Sequence, residues 1–119
     1  MPNDCWNHIT IAANETDIAS FVNEELKNIP EWALKMKVRA TKGLIFNLWS
    51  RWQPDFKWLE SMLKKYPSFW MKNEWSEEGG MAGVWIGTVT RNGDLETKQL
   101  AWDDLCIEER MACFGDKPA

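Results

Sequence analysis

Apolar and polar positions alternate along this chain with two different periods, and each change of period marks a new element. Residues 6–13 alternate with a period of two, which predicts a first strand with Ile9 and Ile11 on one face. After Asn14 the apolar residues follow helical spacing, and Pro30 ends the helix. Its apolar stripe consists of Ile18, Phe21, Val22, Leu26 and Ile29.

A strand and a helix follow again in the middle of the chain. Residues 32–41 are interpreted as a loop, with a short edge strand as the alternative. Residues 44–52 are apolar on both faces, which indicates a central strand. Gln53-Pro54 opens a second helix, with the proline in its first turn. Its stripe consists of Phe56, Leu59, Met62, Leu63 and Tyr66, and Pro67 stops it.

The last third of the chain predicts hairpins and a short helix. Three strands are expected, over residues 68–76, 83–90 and 95–100. Asn92-Gly93 is a two-residue hairpin signal between the last two strands. Asp103 is expected to cap a short final helix that runs to Phe114.

These elements predict an α+β sandwich. Their order is β-α-β-α-β-β, with a fifth strand left open, so the sheet is expected to be mostly antiparallel with four to five strands. Two amphipathic helices would cover one face of it. We expect a single domain over residues 1–114 and a disordered tail over residues 115–119, where nothing anchors the chain.

The composition points to binding surfaces because nine of the 119 residues are tryptophan. Each indole buries roughly 150–250 Å² and has one N–H that needs a partner, so a small core cannot easily enclose nine of them. Part-exposed tryptophans are typical anchors of interfaces. Trp49 and Trp52 have opposite parity along their strand, so at least one is expected to leave the helix-covered face.

Charge and targeting signals exclude some classes of protein. A net charge of −4 argues against non-specific binding to a phosphate backbone. Lys35, Lys37 and Arg39 alternate with apolar residues and are interpreted as the solvent face of one strand. The start, Met1 to Asp4, lacks the features of a signal peptide, and no apolar run approaches the ~20 residues that span a bilayer. We therefore expect a cytoplasmic protein without membrane contact.

The cysteines and the single histidine do not predict a catalytic or metal site. Cys106 and Cys113 are separated by about 10.5 Å along a helix, too far to bind one zinc ion together. Cys5 and His8 lie three residues apart on a strand, so their side chains are expected on opposite faces. We expect no enzyme activity, metal or cofactor.

Several short motifs occur in the order found in a known family. They are Met1-Pro2-Asn3-x-Cys5-x-Asn7, Phe46-Asn47-Leu48-Trp49-Ser50, Lys65-Tyr66-Pro67, the hairpin Glu77-Glu78-Gly79-Gly80-Met81-Ala82-Gly83, and Asn92-Gly93. Over residues 1–13 and 44–95 the chain resembles the YubB-type ferredoxin-like domain family, small proteins of plasmids, phages and bacteria. The resemblance implies a ferredoxin-like sandwich and a phage or mobile-element origin, and implies no particular activity.

The chain also departs from that family's pattern. Asp4 stands where the family has tryptophan, and Arg51-Trp52-Gln53-Pro54 replaces a Pro-Pro pair. The family's tryptophan-rich insert before the second strand is missing, and only Glu31-Trp32 remains there. A function that depends on the insert would not transfer to this chain.

The sequence therefore predicts a non-enzymatic module that binds a protein partner or itself through sheet-face tryptophans. The alternative is a single-stranded nucleic-acid-binding module in which tryptophans stack on bases. The candidate binding residues are Asn3, Asn7, Trp49, Trp52, Glu77 and Glu78.

Overall fold

The computed structural model of the protein describes residues 4–101. The predicted final helix, the tail and the candidate Asn3 lie outside the described residues. Two α-helices are present, α1 (Glu15–Glu24) and α2 (Phe56–Lys65). The strands are β1 (Asp4–Ala12), β2 (Leu34–Ala40), β3 (Gly43–Arg51), β4 (Trp70–Glu77), β5 (Ala82–Val89) and β6 (Leu95–Ala101).

All six strands belong to one sheet with the order β2-β3-β1-β4-β5-β6, and every neighbouring pair is antiparallel. The predicted α+β class is confirmed, whereas the sheet has six strands instead of four to five. Among residues 4–101, neither helix has the length and apolarity needed to cross a bilayer.

The additional strand is β2, in the segment whose sequence predicts a loop or a short edge strand. β2 is an edge of the sheet, and its residues from Lys35 to Ala40 are exposed, so no buried stripe marks it in the sequence. A register shift between Met36 and Val38 puts Lys35 and Arg39 on opposite faces, which corrects the single basic face expected from their alternation. Charged side chains and a bulge also protect an edge strand from pairing with other chains.

Both helices pack on the same face of the sheet. Register places Ile9 opposite Phe46 on one side and opposite Asn73 on the other, so these residues share the helix-covered face. The buried core between the layers includes Ile9, Ile11, Leu44, Phe46, Met71 and Trp85 from the sheet and Ile18, Phe21, Leu59, Met62 and Leu63 from the helices. We call the face of the sheet that points away from the helices the outer face.

Capping residues position the two helices. The Asn14 side chain accepts a hydrogen bond of 2.8 Å from the Asp17 N–H, and the Asp55 side chain accepts one of 3.1 Å from the Trp58 N–H. Since Asp55 caps α2, Pro54 precedes the helix instead of occupying its first turn. α1 ends at Glu24, earlier than predicted, and a 3₁₀ turn over Leu26–Asn28 continues it.

A polar clasp joins the ends of the helices. The single O–H of Tyr66, at the end of α2, is shared between Glu25 Oε2 at 2.7 Å and Glu24 Oε2 at 3.1 Å. The Lys65 ammonium also donates to Glu25 Oε2, at 2.6 Å. Burial, followed by the hydrogen bonds to both carboxylates, raises the pKa of Tyr66 well above its usual value. The hydroxyl therefore stays a donor at neutral pH.

Candidate functional site

Three tryptophans gather at one end of the sheet. Trp6 on β1 lies directly opposite Trp49 on β3, and 51% of the Trp6 surface is exposed. The Trp49 indole N–H donates a 2.7 Å hydrogen bond to Asp4 Oδ1, which holds its ring. The Trp32 ring, 67% exposed, lies 5.0 Å from the Trp49 ring between centroids. We call Trp6, Trp32 and Trp49 the tryptophan cluster.

The prediction that Trp49 or Trp52 leaves the helix-covered face is confirmed, because Trp49 shares the outer face with Trp6. Trp52 lies just after β3 and has a φ of 72°, the left-handed region that a tryptophan seldom occupies. Its side chain is 56% exposed, so packing of the indole does not explain the strained backbone. The strained residue redirects the chain from β3 toward α2.

The candidates Glu77 and Glu78 have partners within the protein. Glu77 Oε1 accepts a 2.7 Å hydrogen bond from the Met81 N–H and closes the β4–β5 turn. Glu78 Oε1 accepts a 2.7 Å bond from the Asp4 N–H, and the Glu78 N–H donates to the Asp4 carbonyl at 3.0 Å. These bonds fasten the turn to the start of β1. They also bring three carboxyl groups, Asp4, Glu77 and Glu78, to the Trp6 end of the sheet; we call them the acidic rim.

Opposite charge is concentrated in the β2–β3 hairpin. Residues 32–54 contain no Asp or Glu. Their basic side chains are Lys35, Lys37, Arg39, Lys42 and Arg51, all exposed. The hairpin is thus basic, and it meets the acidic rim at the start of β1, where Arg51 pairs with Asp4.

The candidate Asn7 lies on the helix side of the sheet, away from the outer-face tryptophans. It is 2% exposed, and its Nδ2 donates to the Leu48 carbonyl at 3.0 Å and to Ser50 Oγ at 2.8 Å. Its Oδ1 accepts a 2.8 Å bond from Nδ2 of Asn73, which is 0% exposed. The Ser50 hydroxyl donates onward to the Gln53 carbonyl. A hydrogen-bonded polar chain therefore crosses from β4 through β1 to β3.

These hydrogen bonds determine the orientation of the Asn7 and Asn73 side-chain amides. The Leu48 carbonyl can only accept, so the Asn7 amide must direct its nitrogen there and its oxygen toward Asn73. Asn73 must then direct its nitrogen toward Asn7, which leaves Asn73 Oδ1 on the other side. That oxygen is buried and has no hydrogen-bond partner among residues 4–101, and the same is true of Trp75 Nε1. A buried polar atom without a partner costs ~1–3 kcal/mol.

A cavity of about 800 Å³ opens above the polar chain. Asn7 and Asn73 are among its lining residues, and its apolar lining includes Pro30, Trp32, Leu48, Trp49, Phe56 and Trp58. This lining comes from the turn region before β2, from β3 and from the first turn of α2. Sequence reasoning missed Asn73, although the alternation Met71-Lys72-Asn73-Glu74-Trp75 places it with two apolar residues on one face.

Cys5 and His8 lie on opposite faces, as their spacing predicted. Cys5 is fully buried on the helix side, and burial raises the pKa of its thiol. His8 is on the outer face, with its Nδ1 2.8 Å from Asn47 Oδ1. Within residues 4–101, no group of three His, Cys, Asp or Glu side chains has the arrangement of a metal site.

Comparison of the chain with protein-family models, curated proteins and solved structures finds no match. The residues that the structure describes offer two features for binding, the tryptophan cluster and the cavity on the helix side, and both include Trp32 and Trp49.

Proposed function

We propose that this protein is a non-enzymatic binding module that recognises a protein partner through the tryptophan cluster. The observation that supports this proposal is the half-exposed Trp6, paired across the strands with Trp49, whose ring Asp4 holds in place. Tryptophan is enriched among the residues that contribute most to binding energy at protein interfaces. A ring already held in position loses little entropy on binding.

The topology supports a ferredoxin-like fold. From β1 to β4 the chain runs β-α-β-β-α-β, the order of the ferredoxin-like unit, and β5 and β6 extend the sheet beyond β4. We propose that the chain is a ferredoxin-like domain with two added strands, in keeping with its resemblance to the YubB-type family. In this arrangement the helices cover one face and leave the outer face for a partner.

Charge defines the chemistry of the partner. The acidic rim adjoins Trp6, because Asp4 bonds to both Trp49 and Glu78. A partner that buries the tryptophans would place basic groups beside this rim, since complementary charges favour association. The basic hairpin offers such groups, so a second copy of this chain is one partner of the required chemistry.

Single-stranded nucleic acid is the second candidate, and one observation favours it. The β2–β3 hairpin has five basic side chains and no carboxylate, and the outer-face tryptophans lie on the adjacent strands β1 and β3. Aromatic rings on a sheet can stack on bases, with basic residues contacting the backbone. The acidic rim would repel phosphates near Trp6, which ranks this candidate second.

A pull-down with the tagged full-length chain from a bacterial lysate, with and without nuclease, tests the proposal. The informative variant is Trp6→Ala. Trp70→Ala is its matched control, because Trp70 is a 39% exposed tryptophan on the same face. It pairs with Ala12, six residues from Trp6 along β1 and so about 20 Å away. Sedimentation velocity on the same proteins measures self-association.

The proposal predicts a partner protein, or a dimer, that survives nuclease, is lost in Trp6→Ala and is retained in Trp70→Ala. Capture that disappears with nuclease or high salt would support the nucleic-acid alternative instead. Equal behaviour of the two folded variants would contradict a role for the tryptophan cluster. So would a wild-type protein that is monomeric and captures nothing.

A further inference from the structure

We infer that two copies of this chain pair through strand β6 and form a symmetric dimer in which their two sheets become one. β6 is the last strand of the sheet that residues 4–101 form, three strand positions from β1 and so about 14 Å from it. The inference therefore concerns a surface away from the tryptophan cluster and goes beyond the proposed function.

The two edges of the sheet differ in how well they can pair with another strand. β2 is interrupted by a bulge between Met36 and Val38, and its charged residues are all basic, and both features hinder pairing. β6 pairs with β5 without a register shift, contains no proline, and carries one residue of each charge, Glu96 and Lys98. Among residues 4–101 no strand covers its other side, so β6 is the regular edge of the sheet.

The backbone of β6 presents its free hydrogen-bonding groups at alternate residues. The Thr90 N–H donates to the Asp94 carbonyl at 2.8 Å, in the register that the β5–β6 ladder continues. Hydrogen-bonded and non-hydrogen-bonded pairs alternate along an antiparallel ladder, so the main-chain groups of Leu95, Thr97 and Gln99 point away from β5. These three residues can bond to a strand of a second copy.

The charges of β6 complement one another in a single antiparallel register. When Thr97 lies opposite Thr97 of the second copy, Glu96 lies opposite Lys98 of that copy and Lys98 lies opposite its Glu96. Both charged side chains are exposed and lie on the same face of the sheet, so two symmetric ion pairs can form. The neighbouring symmetric registers put Glu96 opposite Glu96 or Lys98 opposite Lys98, so charge selects one register.

The same register satisfies the backbone of both copies. Thr97 exchanges two hydrogen bonds with Thr97 of the second copy, and Leu95 bonds to Gln99 at each end, because these residues have the free groups. Glu96 and Lys98 then form non-hydrogen-bonded pairs, in which facing Cα atoms are about 4.5 Å apart and side chains are closest. Backbone pairing and charge pairing therefore agree.

Sedimentation velocity of the full-length chain over about 1–300 µM tests the inference, and a dimer in the micromolar range is expected for such a small interface. Lys98→Glu puts two glutamates opposite each other at both ion pairs and should weaken the dimer at least about tenfold. Glu96→Lys should do the same with two lysines. Lys35→Glu is the matched control, because it makes the same charge change at an exposed site on the other edge, and it should leave the dimer unchanged.

A mixture of the two charge variants tests the register itself. In a heterodimer of Lys98→Glu with Glu96→Lys, every glutamate again faces a lysine. The mixture is therefore expected to dimerise at concentrations where each variant alone is a monomer. The double variant Glu96→Lys/Lys98→Glu should dimerise by itself, and circular dichroism establishes that each variant is folded.

Three results would overturn the inference. They are a wild-type chain that stays monomeric over the whole concentration range, a dimer that Lys98→Glu leaves intact, and folded charge variants whose mixture does not dimerise. Trp6→Ala is expected to keep the β6 dimer even where it loses the partner of the tryptophan cluster. A dimer lost in Trp6→Ala but kept in Lys98→Glu would assign self-association to the tryptophan cluster instead.

Discussion

Asn7→Leu is expected to destabilise the fold far more than Asn73→Leu, although the two buried side chains bond to each other. Asn7 makes three hydrogen bonds, two from its nitrogen and one to its oxygen. Asn73 makes one side-chain bond, and its Oδ1 has no partner among residues 4–101. The asymmetry of the polar chain therefore predicts an asymmetry in the free energy of unfolding.

The magnitudes follow from these bonds. Each intramolecular bond contributes about 1 kcal/mol, so Asn7→Leu loses about 3 kcal/mol and also leaves the Asn73 amide buried without a partner. Asn73→Leu loses one bond and leaves Asn7 Oδ1 unpaired, but it removes an acceptor that already costs ~1–3 kcal/mol. The cost of the lost bond and the gain from removing the buried acceptor nearly cancel, so the free energy of unfolding of Asn73→Leu is expected to change by no more than about 1 kcal/mol.

Urea unfolding followed by tryptophan fluorescence measures this difference. With a slope of ~1–3 kcal/mol per molar urea, Asn7→Leu should lower the midpoint by about 1–3 M. The double variant Asn7→Leu/Asn73→Leu should be more stable than Asn7→Leu alone, since the orphaned amide is gone, with a coupling of ~1–3 kcal/mol. Equal destabilisation by the two single variants, or additive effects in the double variant, would refute the assigned hydrogen-bond network.

Three further changes have defined outcomes. Gly83→Ala should lower the free energy of unfolding by about 1–3 kcal/mol in urea titrations, because its new Cβ would lie 2.6 Å from a backbone carbonyl oxygen of β6; an unchanged midpoint would contradict this packing. Hydrogen bonds lower the pKa of Glu25, and the bond from Lys65 has a larger effect than the bond from Tyr66. These bonds therefore stabilise the folded protein at neutral pH, and this stabilisation is lost as the pH falls through the lowered pKa of Glu25. Tyr66→Phe should thus cost about 1 kcal/mol at pH 7 and less near pH 3 in thermal unfolding, and a cost that grows in acid would be inconsistent with the clasp. Cys5 is fully buried, and burial raises the pKa of its thiol, so in a variant with Cys106→Ser and Cys113→Ser it should react much more slowly with a thiol reagent when folded than in urea; equal rates in the folded protein and in urea would show an accessible thiolate.

The sequence was sufficient where neighbouring residues determine the outcome. The apolar stripe of α2, with Leu59 and Leu63 in the core, follows from helical spacing. A hairpin turn forms at Asn92-Gly93 as predicted, but it is longer than two residues: only Gly93 has a positive φ, of 86°, and its N–H donates to the Thr90 carbonyl. The opposite placement of Cys5 and His8 follows from strand parity. These features depend on backbone geometry within a few residues, which the sequence displays directly.

The candidate binding residues were only partly informative. Trp49 does lie on the outer face, but its neighbour Trp6 was not among the candidates, because their pairing depends on the alignment of β1 with β3. Glu77 and Glu78 fasten the β4–β5 turn, a role that appears only when β1 lies beside β4. The ferredoxin-like assignment and the partner-binding function stay predictions.

Tertiary structure alone decided the sixth strand and the cavity. β2 has no buried stripe because it is an exposed edge strand, so only its pairing with β3 identifies it. Asn7 and Asn73 are 66 residues apart in the chain, and the buried acceptor between them exists only because β1 and β4 are adjacent. Local patterns determine helices and strands, whereas register and burial depend on contacts between distant residues, which no local pattern specifies.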